Sequence, residues 1–245
     1  MTAVDLKVRI FADGADLESI ARLAENSVVS GFTTNPTLMR KAGVQDYRTF
    51  ARDVLSLVGD RPVSFEVFSD DLDEMERQAE VIASWGRNVF VKIPVTNTSG
   101  EFVGPLVERL SQRGIQVNVT ALMTAGQVAE VAGCLAEETA SFVSLFAGRV
   151  ADTGRDPLPV MAEAVQVLAR RPKARLIWAS SRELLNVFQA DLVGCHVITV
   201  TPDLLAKLPL VGKDLLEYSL ETVRMFRDDA VKAGYSIETA VTHSA

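Results

Sequence analysis

The feature that most constrains the fold is a regular alternation of short β-branched or aromatic runs with longer amphipathic segments from one end of the chain to the other. The runs that predict strands are 8–13, 28–33, 63–68, 89–94, 116–121, 142–146, 175–180 and 196–200. The segments that predict helices are 16–25, 47–58, 72–85, 101–113, 125–137, 159–170, 182–189 and 202–207. Eight such units in 245 residues fit a closed (β/α)8 barrel, whereas a doubly wound open sheet usually has fewer strands and a glycine-rich first turn. We therefore predict an α/β protein with a single (β/α)8 TIM barrel domain over 1–245 and an additional C-terminal helix at about 213–232.

The charge and composition exclude several classes of partner. A formal net charge of −7 argues against binding to nucleic acid or to an anionic membrane, so that any phosphate site must be made by a few well-placed arginines. Two cysteines without a CxxC motif fit a reducing compartment. Residues 1–7 contain no apolar stretch, so we expect no export leader. The sequence contains no run of 18 apolar residues and no GxGxxG or P-loop motif. We expect a cytoplasmic protein without a nucleotide cofactor.

Strand parity predicts which polar side chains enter the barrel, because successive residues of a strand point to opposite faces. In the fifth predicted strand Gln116, Asn118 and Thr120 alternate with valines and should share the lumen. Glu66 and Lys92 are likewise single polar residues within apolar runs. These residues are the first candidates for an active site.

Other polar residues fall where predicted strands end: Asp13, Asn35, Ser144, Ser180 and Arg182. Catalytic groups of such barrels lie at the carboxyl ends of the strands. A single Asp or Asn at a strand end is more often a hydrogen-bonded structural residue, but a whole set at one rim indicates an active site.

Lys92 is flanked on both sides by apolar residues, and burial disfavours the charged form of its amine. A neutral amine can attack a ketone and form an iminium that accepts electrons when the neighbouring carbon–carbon bond breaks. Glu66 and Thr120, on the adjacent strands, could hold a water for proton transfer, and Asp13 could take the hydroxyl proton. A structural Lys–Glu pair is the competing interpretation.

Seven segments match, in order and over nearly the whole chain, the motifs of one enzyme family. They are Phe11-Ala12-Asp13, Gly31-Phe32-Thr33-Thr34-Asn35-Pro36, Ser64-Phe65-Glu66-Val67, Val91-Lys92-Ile93-Pro94-Val95-Thr96, Asn118-Val119-Thr120-Ala121, Val143-Ser144-Leu145-Phe146-Ala147-Gly148-Arg149 and Ala179-Ser180-Ser181-Arg182. On these segments the chain resembles the transaldolases and the related fructose 6-phosphate aldolases, which are class I, metal-independent aldol enzymes.

The resemblance implies a role for each matching residue. Lys92 would form a Schiff base with C2 of a ketose phosphate, Asp13 would be the acid/base for cleavage, and Glu66 with Thr120 would hold the catalytic water. The implied substrate-binding residues are Thr33, Asn35, Asn118, Ser144, Phe146, Arg149, Ser180 and Arg182. Among these, Asn35, Asn118 and Ser144 would bind the dihydroxyacetone hydroxyls. The terminal phosphate would bind Arg149, Ser180 and Arg182. No cofactor and no metal are implied.

Three positions depart from the family pattern. Gly14 replaces threonine, Leu145 replaces proline, and Ser181 replaces an aromatic residue. We expect these changes to alter the rim of the acceptor pocket without affecting the Schiff-base chemistry.

Two family positions separate the two activities. Glu66 is the state typical of transaldolases, where the aldolases tend to have Gln, and Phe146 is the transaldolase state, where the aldolases tend to have Tyr. The resemblance therefore implies transfer of dihydroxyacetone from sedoheptulose 7-phosphate or fructose 6-phosphate to an aldose phosphate. Aldolase-type release of free dihydroxyacetone, and a transaldolase-like enzyme of a specialised sugar pathway, remain alternatives.

Two other classes of protein stay open. A phosphosugar isomerase or metal-dependent aldolase is weakly supported, because only His196 and His243 are available as histidine ligands. His196 starts the last predicted strand, away from the catalytic rim, which favours a core histidine. A catalytically silent scaffold barrel is disfavoured because it has no use for a lumenal lysine.

The predicted C-terminal helix carries Leu215, Leu216, Leu220, Val223 and Phe226 at helical spacing. This stripe could pack across its own barrel or form a subunit interface. The family resemblance implies a homo-oligomer.

Overall fold

The predicted barrel is present in a computed structural model that describes residues 6–238. Its strands are β1 (Arg9–Asp13), β2 (Val29–Thr33), β3 (Val63–Glu66), β4 (Val89–Pro94), β5 (Val117–Leu122), β6 (Ser141–Leu145), β7 (Ala174–Trp178) and β8 (Val197–Val200). Each strand is parallel to the next, and β8 pairs with β1, so that the sheet closes on itself. The prediction of a (β/α)8 barrel is confirmed.

The helices are α1 (Leu17–Ala24), α2 (Pro36–Lys41), α3 (Tyr47–Val58), α4 (Leu72–Ala83), α5 (Gly104–Gln112), α6 (Ala125–Cys134), α7 (Ala147–Asp152), α8 (Leu158–Leu168), α9 (Leu185–Leu192), α10 (Pro202–Leu205) and α11 (Leu215–Lys232). Side chains cap several of them at the amino end; Asp71, for example, accepts a hydrogen bond from the Glu74 amide at 2.8 Å. Helix α11 confirms the predicted C-terminal helix. No helix within residues 6–238 combines the length and the apolar character needed to cross a membrane.

Two short helices were missing from the sequence prediction. Both α2 and α7 have six residues and directly follow a strand, at the rim where the site residues lie. Helices of this length have little stability of their own and form because the surrounding structure holds them. Asn35 followed by Pro36, a capping residue and a proline in the first turn, was the signal that could have revealed α2.

Side-chain parity divides the core into two parts, as alternation requires. Odd-numbered residues of β3 and β5, such as Phe65, Val117 and Val119, pack beneath the helices. A separate cluster fills the lower lumen and includes Phe11, Phe90, Phe142, Ile177 and Val197. In that cluster the rings of Phe11 and Phe142 meet edge to face, with centroids 5.4 Å apart. This apolar plug closes the lower lumen beneath the polar upper half.

Two details of the strand prediction were wrong. Gln116 precedes β5, and its amide donates to the carbonyls of Arg87 and Val89 at the amino end of the barrel, far from the predicted rim. Strand β7 ends at Trp178, which leaves Ser180 in the following loop with φ of 63°. A strand could not continue through Ser180, since a positive φ is incompatible with extended backbone.

Candidate active site

A cavity of about 440 Å³ opens at the carboxyl ends of the strands. Its lining contains Asp13, Thr33, Asn35, Glu66, Lys92, Asn118, Thr120, Ser144, Phe146, Arg149 and Ser180, which are all of the predicted site residues except Arg182. Side chains that the sequence did not single out also line it: Pro36, Thr37, Leu38, Ala121, Met123, Ala179 and Thr199. The structure therefore brings the candidate residues of seven strands and their following loops to one place.

Lys92 lines the cavity and has only 7% of its surface exposed. Its Nζ donates to the carbonyl oxygen of Thr34 at 3.0 Å and lies 3.0 Å from Oε2 of Glu66. Residues 66 and 92 are direct partners in the β3–β4 ladder, and Asn118 is the partner of Lys92 in β5. Sequence reasoning missed the Thr34 contact, because a backbone oxygen leaves no residue-type signal.

Two buried side-chain oxygens of residues that line the same cavity are without hydrogen-bond partners among the described residues. They are Oε2 of Glu66, whose contact with Nζ lies outside hydrogen-bond geometry, and Oγ1 of Thr120. Ala121, directly after Thr120, has φ of 66°, where the β5–β6 pairing shifts register. Buried polar atoms normally find a partner, so unpaired ones facing a cavity are candidates to bind a water or a ligand.

Asp13 accepts a hydrogen bond from the Thr33 hydroxyl at 2.7 Å. Burial raises the pKa of the Asp13 carboxyl above its ordinary value, and the charge of Lys92 and the Thr33 bond oppose that rise. A carboxyl with a raised pKa exchanges protons at a pH nearer to neutrality, which is the property that a general acid/base requires.

A hydrogen-bonded chain crosses the lumen beside Lys92. The Asn118 amide donates to the Ser64 hydroxyl at 2.9 Å, and its Oδ1 accepts from the Ser144 hydroxyl at 2.7 Å. All three residues are buried. The network fixes the orientation of the Asn118 amide and leaves one of its two amide hydrogens for the cavity. Parity could have revealed Ser64 as a partner of Asn118, because Ser64 lies on the same face of β3 as Glu66.

Asn35 has a structural role as well. Its Oδ1 accepts from the Leu38 amide at 3.0 Å and caps α2, which leaves the amide nitrogen to donate to a ligand.

Arg149 is carried into the rim by α7. Its guanidinium lies over the ring of Phe146, 5.6 Å from the centroid. Gly148 allows α7 to lie against the loop that contains Ser180, because a Cβ at residue 148 would lie 1.6 Å from the carbonyl oxygen of Ser180. The close approach of α7 to the Ser180 loop depends on the missing side chain.

Arg182 is the exception among the predicted residues, since it does not line the cavity. Its guanidinium forms a two-point contact with Asp152, in which Nε donates to Oδ1 at 3.0 Å and Nη2 donates to Oδ2. Hydrogen bonding to Arg182 lowers the pKa of Asp152, and the charges of Arg182 and Arg149 lower it further. The carboxylate thus holds the position that an anion would take beside this arginine.

None of the three departures from the family pattern reaches the cavity lining. Leu145 is fully buried between the sheet and the helices, and the Ser181 hydroxyl donates to the Thr199 carbonyl at 2.7 Å. At Gly14 a Cβ would meet nothing within 4 Å. The expectation that these three changes alter the rim of the acceptor pocket stays a prediction.

His196 lies at the opposite end of the barrel, where Nδ1 accepts from the Leu176 amide at 3.0 Å. Burial lowers the pKa of this imidazole, and the charges of Arg175 and Arg9 lower it further. Residues 6–238 contain no group of three His, Cys, Asp or Glu side chains arranged to hold a metal. His243 lies outside the described residues.

The arrangement contains the groups that imine chemistry requires. An amine, a carboxyl with a raised pKa and two unpaired oxygens meet in a cavity large enough for a small sugar phosphate. The Lys92–Glu66 pair exists, as the structural alternative supposed. It opens onto the cavity, however, whereas a purely structural pair would be enclosed.

Comparisons with known proteins agree with this geometry. The family model described as Transaldolase/Fructose-6-phosphate aldolase matches residues 10–242. A protein of Dehalococcoides mccartyi named "Probable transaldolase" is 37% identical over 194 residues, covering 79% of this chain and 86% of its own. Another of that name, from a Thermoanaerobacter species, is 33% identical over 231 residues, covering 94% of this chain and 100% of its own.

Among solved structures, "Crystal structure of a putative phosphonomutase" from Burkholderia cenocepacia J2315 aligns with a TM-score of 0.54 at 12% identity, over 91% of this chain and 94% of that one. At that identity the likeness concerns the barrel fold alone.

Proposed function

The chain belongs to the transaldolase/fructose-6-phosphate aldolase family, and on that premise we propose that it is a transaldolase. In this proposal one barrel domain transfers a dihydroxyacetone unit from sedoheptulose 7-phosphate or fructose 6-phosphate to an aldose phosphate. The observation that carries the proposal is Lys92, a buried amine at the carboxyl ends of the strands, held between Glu66 and the Thr34 carbonyl.

The reaction begins at the nitrogen of Lys92. The neutral amine adds to C2 of the ketose, and the resulting carbinolamine loses water to give an iminium. Asp13 takes the proton of the C4 hydroxyl as the C3–C4 bond breaks, and the bonding electrons move to the iminium to form an enamine. The aldose phosphate leaves. An acceptor aldehyde then reacts with the enamine, Asp13 returns the proton, and hydrolysis of the new iminium frees the amine.

Glu66 and Thr120 serve the water steps. Each has a buried oxygen without a hydrogen-bond partner among the described residues, and in this proposal one water binds both oxygens. Because Oε2 of Glu66 lies 3.0 Å from Nζ of Lys92, this water would donate and accept protons during carbinolamine dehydration in the proposal. The raised pKa of Asp13 supports its separate role at the C4 hydroxyl.

The donor's hydroxyl groups have specific partners in this proposal. The free hydrogen of the Asn118 amide, the amide of Asn35 and the hydroxyl of Ser144 line the cavity and would bind the dihydroxyacetone unit. Thr33 contributes indirectly, because its hydroxyl is bonded to Asp13.

The terminal phosphate would bind Arg149, Ser180 and Arg182. For Arg182 this requires the guanidinium to exchange Asp152 for the phosphate, a replacement of one anion by another. Asp152→Asn should therefore lower KM for fructose 6-phosphate by about two- to fivefold and leave kcat unchanged, since an exposed ion pair of this kind is weak and easily exchanged. A raised KM would instead mean that Asp152 orients Arg182 for binding.

Phe146 supports transfer over release. A phenyl ring cannot donate a hydrogen bond to a water, and the enamine is lost when a water protonates it. Phe146 lines the same cavity as Lys92. Phe146→Tyr should raise the release of free dihydroxyacetone relative to transfer, measured with and without an aldehyde acceptor. An unchanged ratio would contradict this reason for preferring transaldolase to aldolase.

Borohydride trapping tests the central claim. Incubation with fructose 6-phosphate and borohydride should add one three-carbon unit to Lys92, located by peptide mass spectrometry. Lys92→Met should abolish both the adduct and the transfer activity, whereas Lys173→Met, an exposed lysine paired with Glu138, should keep both. An unlabelled Lys92, or activity retained in Lys92→Met, would disprove the mechanism.

The homo-oligomer also belongs to this proposal. No residue of α11 is buried, and Leu216 and Phe226 are 83% and 64% exposed, so the stripe does not pack across its own barrel. Contact with a second copy would remove this apolar surface from water. Leu216→Gln should weaken the oligomer in sedimentation velocity and Glu217→Gln, its neighbour on the polar face, should not. A wild-type protein that sediments as a monomer would disprove the proposed oligomer.

We place the enzyme in the cytoplasm, in keeping with its free thiols at Cys134 and Cys195.

A further inference from the structure

The ladder between β2 and β3 is short. Only two residue pairs join these strands, Phe32 with Val63 and Thr33 with Ser64. Beyond these pairs, the last backbone hydrogen bond between the two strands is the one that the Thr34 amide donates to the Ser64 carbonyl, at 3.4 Å. Strand β3 continues to Glu66, which pairs with β4 alone. The backbone groups of Glu66 that point towards β2 therefore have no strand to receive them.

The hydroxyl of Tyr47 takes the place of that strand. The Glu66 amide donates to the Tyr47 oxygen at 2.7 Å, and the hydroxyl donates to the Glu66 carbonyl at 3.0 Å. One phenol thus satisfies both backbone groups that the ladder would have used. Burial raises the pKa of Tyr47 well above its ordinary value, so the hydroxyl keeps the proton that it donates.

The ring of Tyr47 is itself held firmly. It is the first residue of α3, and it meets Phe65 at 6.1 Å, Phe68 at 4.6 Å and Trp85 at 5.3 Å between ring centroids. These aromatic contacts do not involve the hydroxyl. The packing of the ring and the tie to Glu66 can therefore be separated by removing one oxygen atom.

Glu66 stands between two spaces. Its side chain faces Lys92 in the active-site cavity, and the same residue lines an outer, apolar cavity of about 230 Å³ together with Tyr47, Phe68 and Trp85. Without the tie, the Glu66 backbone would be free to shift towards the outer cavity and to seek water there. A shift of a fraction of an ångström would change the reach of the carboxylate to Nζ and to the water proposed above.

We propose that Tyr47 is a positioning residue that holds the Glu66 carboxylate in register with Lys92. The inference rests on the proposed Schiff-base function, and it assigns to α3 a part in the carbinolamine step. Tyr47 touches no reacting atom; it acts through the Glu66 backbone.

Tyr47→Phe tests the proposal, because it keeps the ring and removes only the tie. We expect the rate of borohydride-trapped adduct formation at Lys92 with fructose 6-phosphate, and kcat, to fall by about tenfold, with KM within about twofold of wild type. The matched control is Trp85→Phe, which changes the same aromatic cluster without touching the Glu66 backbone. Its kcat should stay within about twofold of wild type. In an enzyme that already carries Glu66→Gln, adding Tyr47→Phe should lower kcat by less than about twofold, because the carboxylate that Tyr47 positions is absent.

The proposal is overturned if Tyr47→Phe forms the adduct at the wild-type rate. It is also overturned if Trp85→Phe loses as much, or if the tenfold loss persists in the Glu66→Gln background. Absence of any adduct in the wild type refutes the Schiff-base function itself, which is a different result. If Tyr47→Phe does not fold, amide hydrogen exchange is measured on the wild-type protein, with the Val67 amide, which donates to the Lys92 carbonyl, as the reference. A Glu66 amide that is as protected from exchange as the Val67 amide supports the proposal. A Glu66 amide that exchanges freely overturns it.

Discussion

Replacing Thr33 by valine should move the acidic limb of the pH profile of kcat/KM upwards. The Thr33 hydroxyl donates to Oδ1 of Asp13 at 2.7 Å, and this bond lowers a pKa that burial raises. Valine has nearly the same shape and no hydroxyl. In the proposed mechanism Asp13 must be ionised to take the C4 hydroxyl proton, so the acidic limb reports its pKa in the free enzyme.

The size of the shift follows from the difference between two hydrogen bonds. A bond to an ionised carboxylate contributes about 1.5–3 kcal/mol, and one to a neutral carboxyl about 0.5–1.5 kcal/mol. Loss of the Thr33 bond therefore disfavours the ionised form by roughly 1–1.5 kcal/mol. At about 1.4 kcal/mol per pKa unit, the limb should rise by about one unit. At pH values on the acidic limb, kcat/KM of Thr33→Val should therefore be lower than that of the wild type by nearly tenfold. On the neutral plateau of the profile the two enzymes should differ little.

The assay is a coupled measurement of transfer from fructose 6-phosphate across the pH range in which the enzyme is stable. Ser30→Ala is the matched control, because Ser30 lies on the same strand and its hydroxyl bonds to the Ile10 carbonyl instead of a carboxylate. Its profile should keep the wild-type limb. A Thr33→Val enzyme whose activity falls equally at every pH, with the limb unmoved, would refute the assignment of Asp13 as the titrating base.

Two further predictions concern stability. Because the folded protein holds the Asp13 proton more tightly than the unfolded chain, stability is lost as pH rises from the ordinary pKa of 3.8 through the raised one. Asp13→Asn should thus abolish transfer and yet raise the midpoint of thermal unfolding at pH 7. This gain in the midpoint should become smaller as the pH falls. A lowered midpoint at pH 7 would contradict the raised pKa of Asp13. Gly148→Ala should cost about 1–3 kcal/mol in urea denaturation and raise KM for fructose 6-phosphate, because its Cβ would overlap the Ser180 carbonyl. Gly133→Ala, in a helix with open space around it, should gain about 0.5–1 kcal/mol, and equal effects of the two substitutions would show that the close approach at Gly148 is unimportant.

Several features of the site could be predicted from the sequence because they depend only on local periodicity. Alternation along each strand decided that Lys92, Glu66 and Asn118 face the lumen, and parallel βα units bring their carboxyl ends to one rim. The same reasoning failed for Gln116, since parity gives the face of a strand but not the height at which a residue lies.

Contacts between distant segments were decided by the tertiary structure. Tyr47 is an ordinary amphipathic-helix residue in the sequence, and its bond to Glu66 exists because β2 and β3 separate there. Arg182 is turned to Asp152 because α7 approaches the loop after β7 over Gly148. Periodicity reports the face that a side chain occupies, whereas the partner it meets depends on how separate elements approach one another in three dimensions.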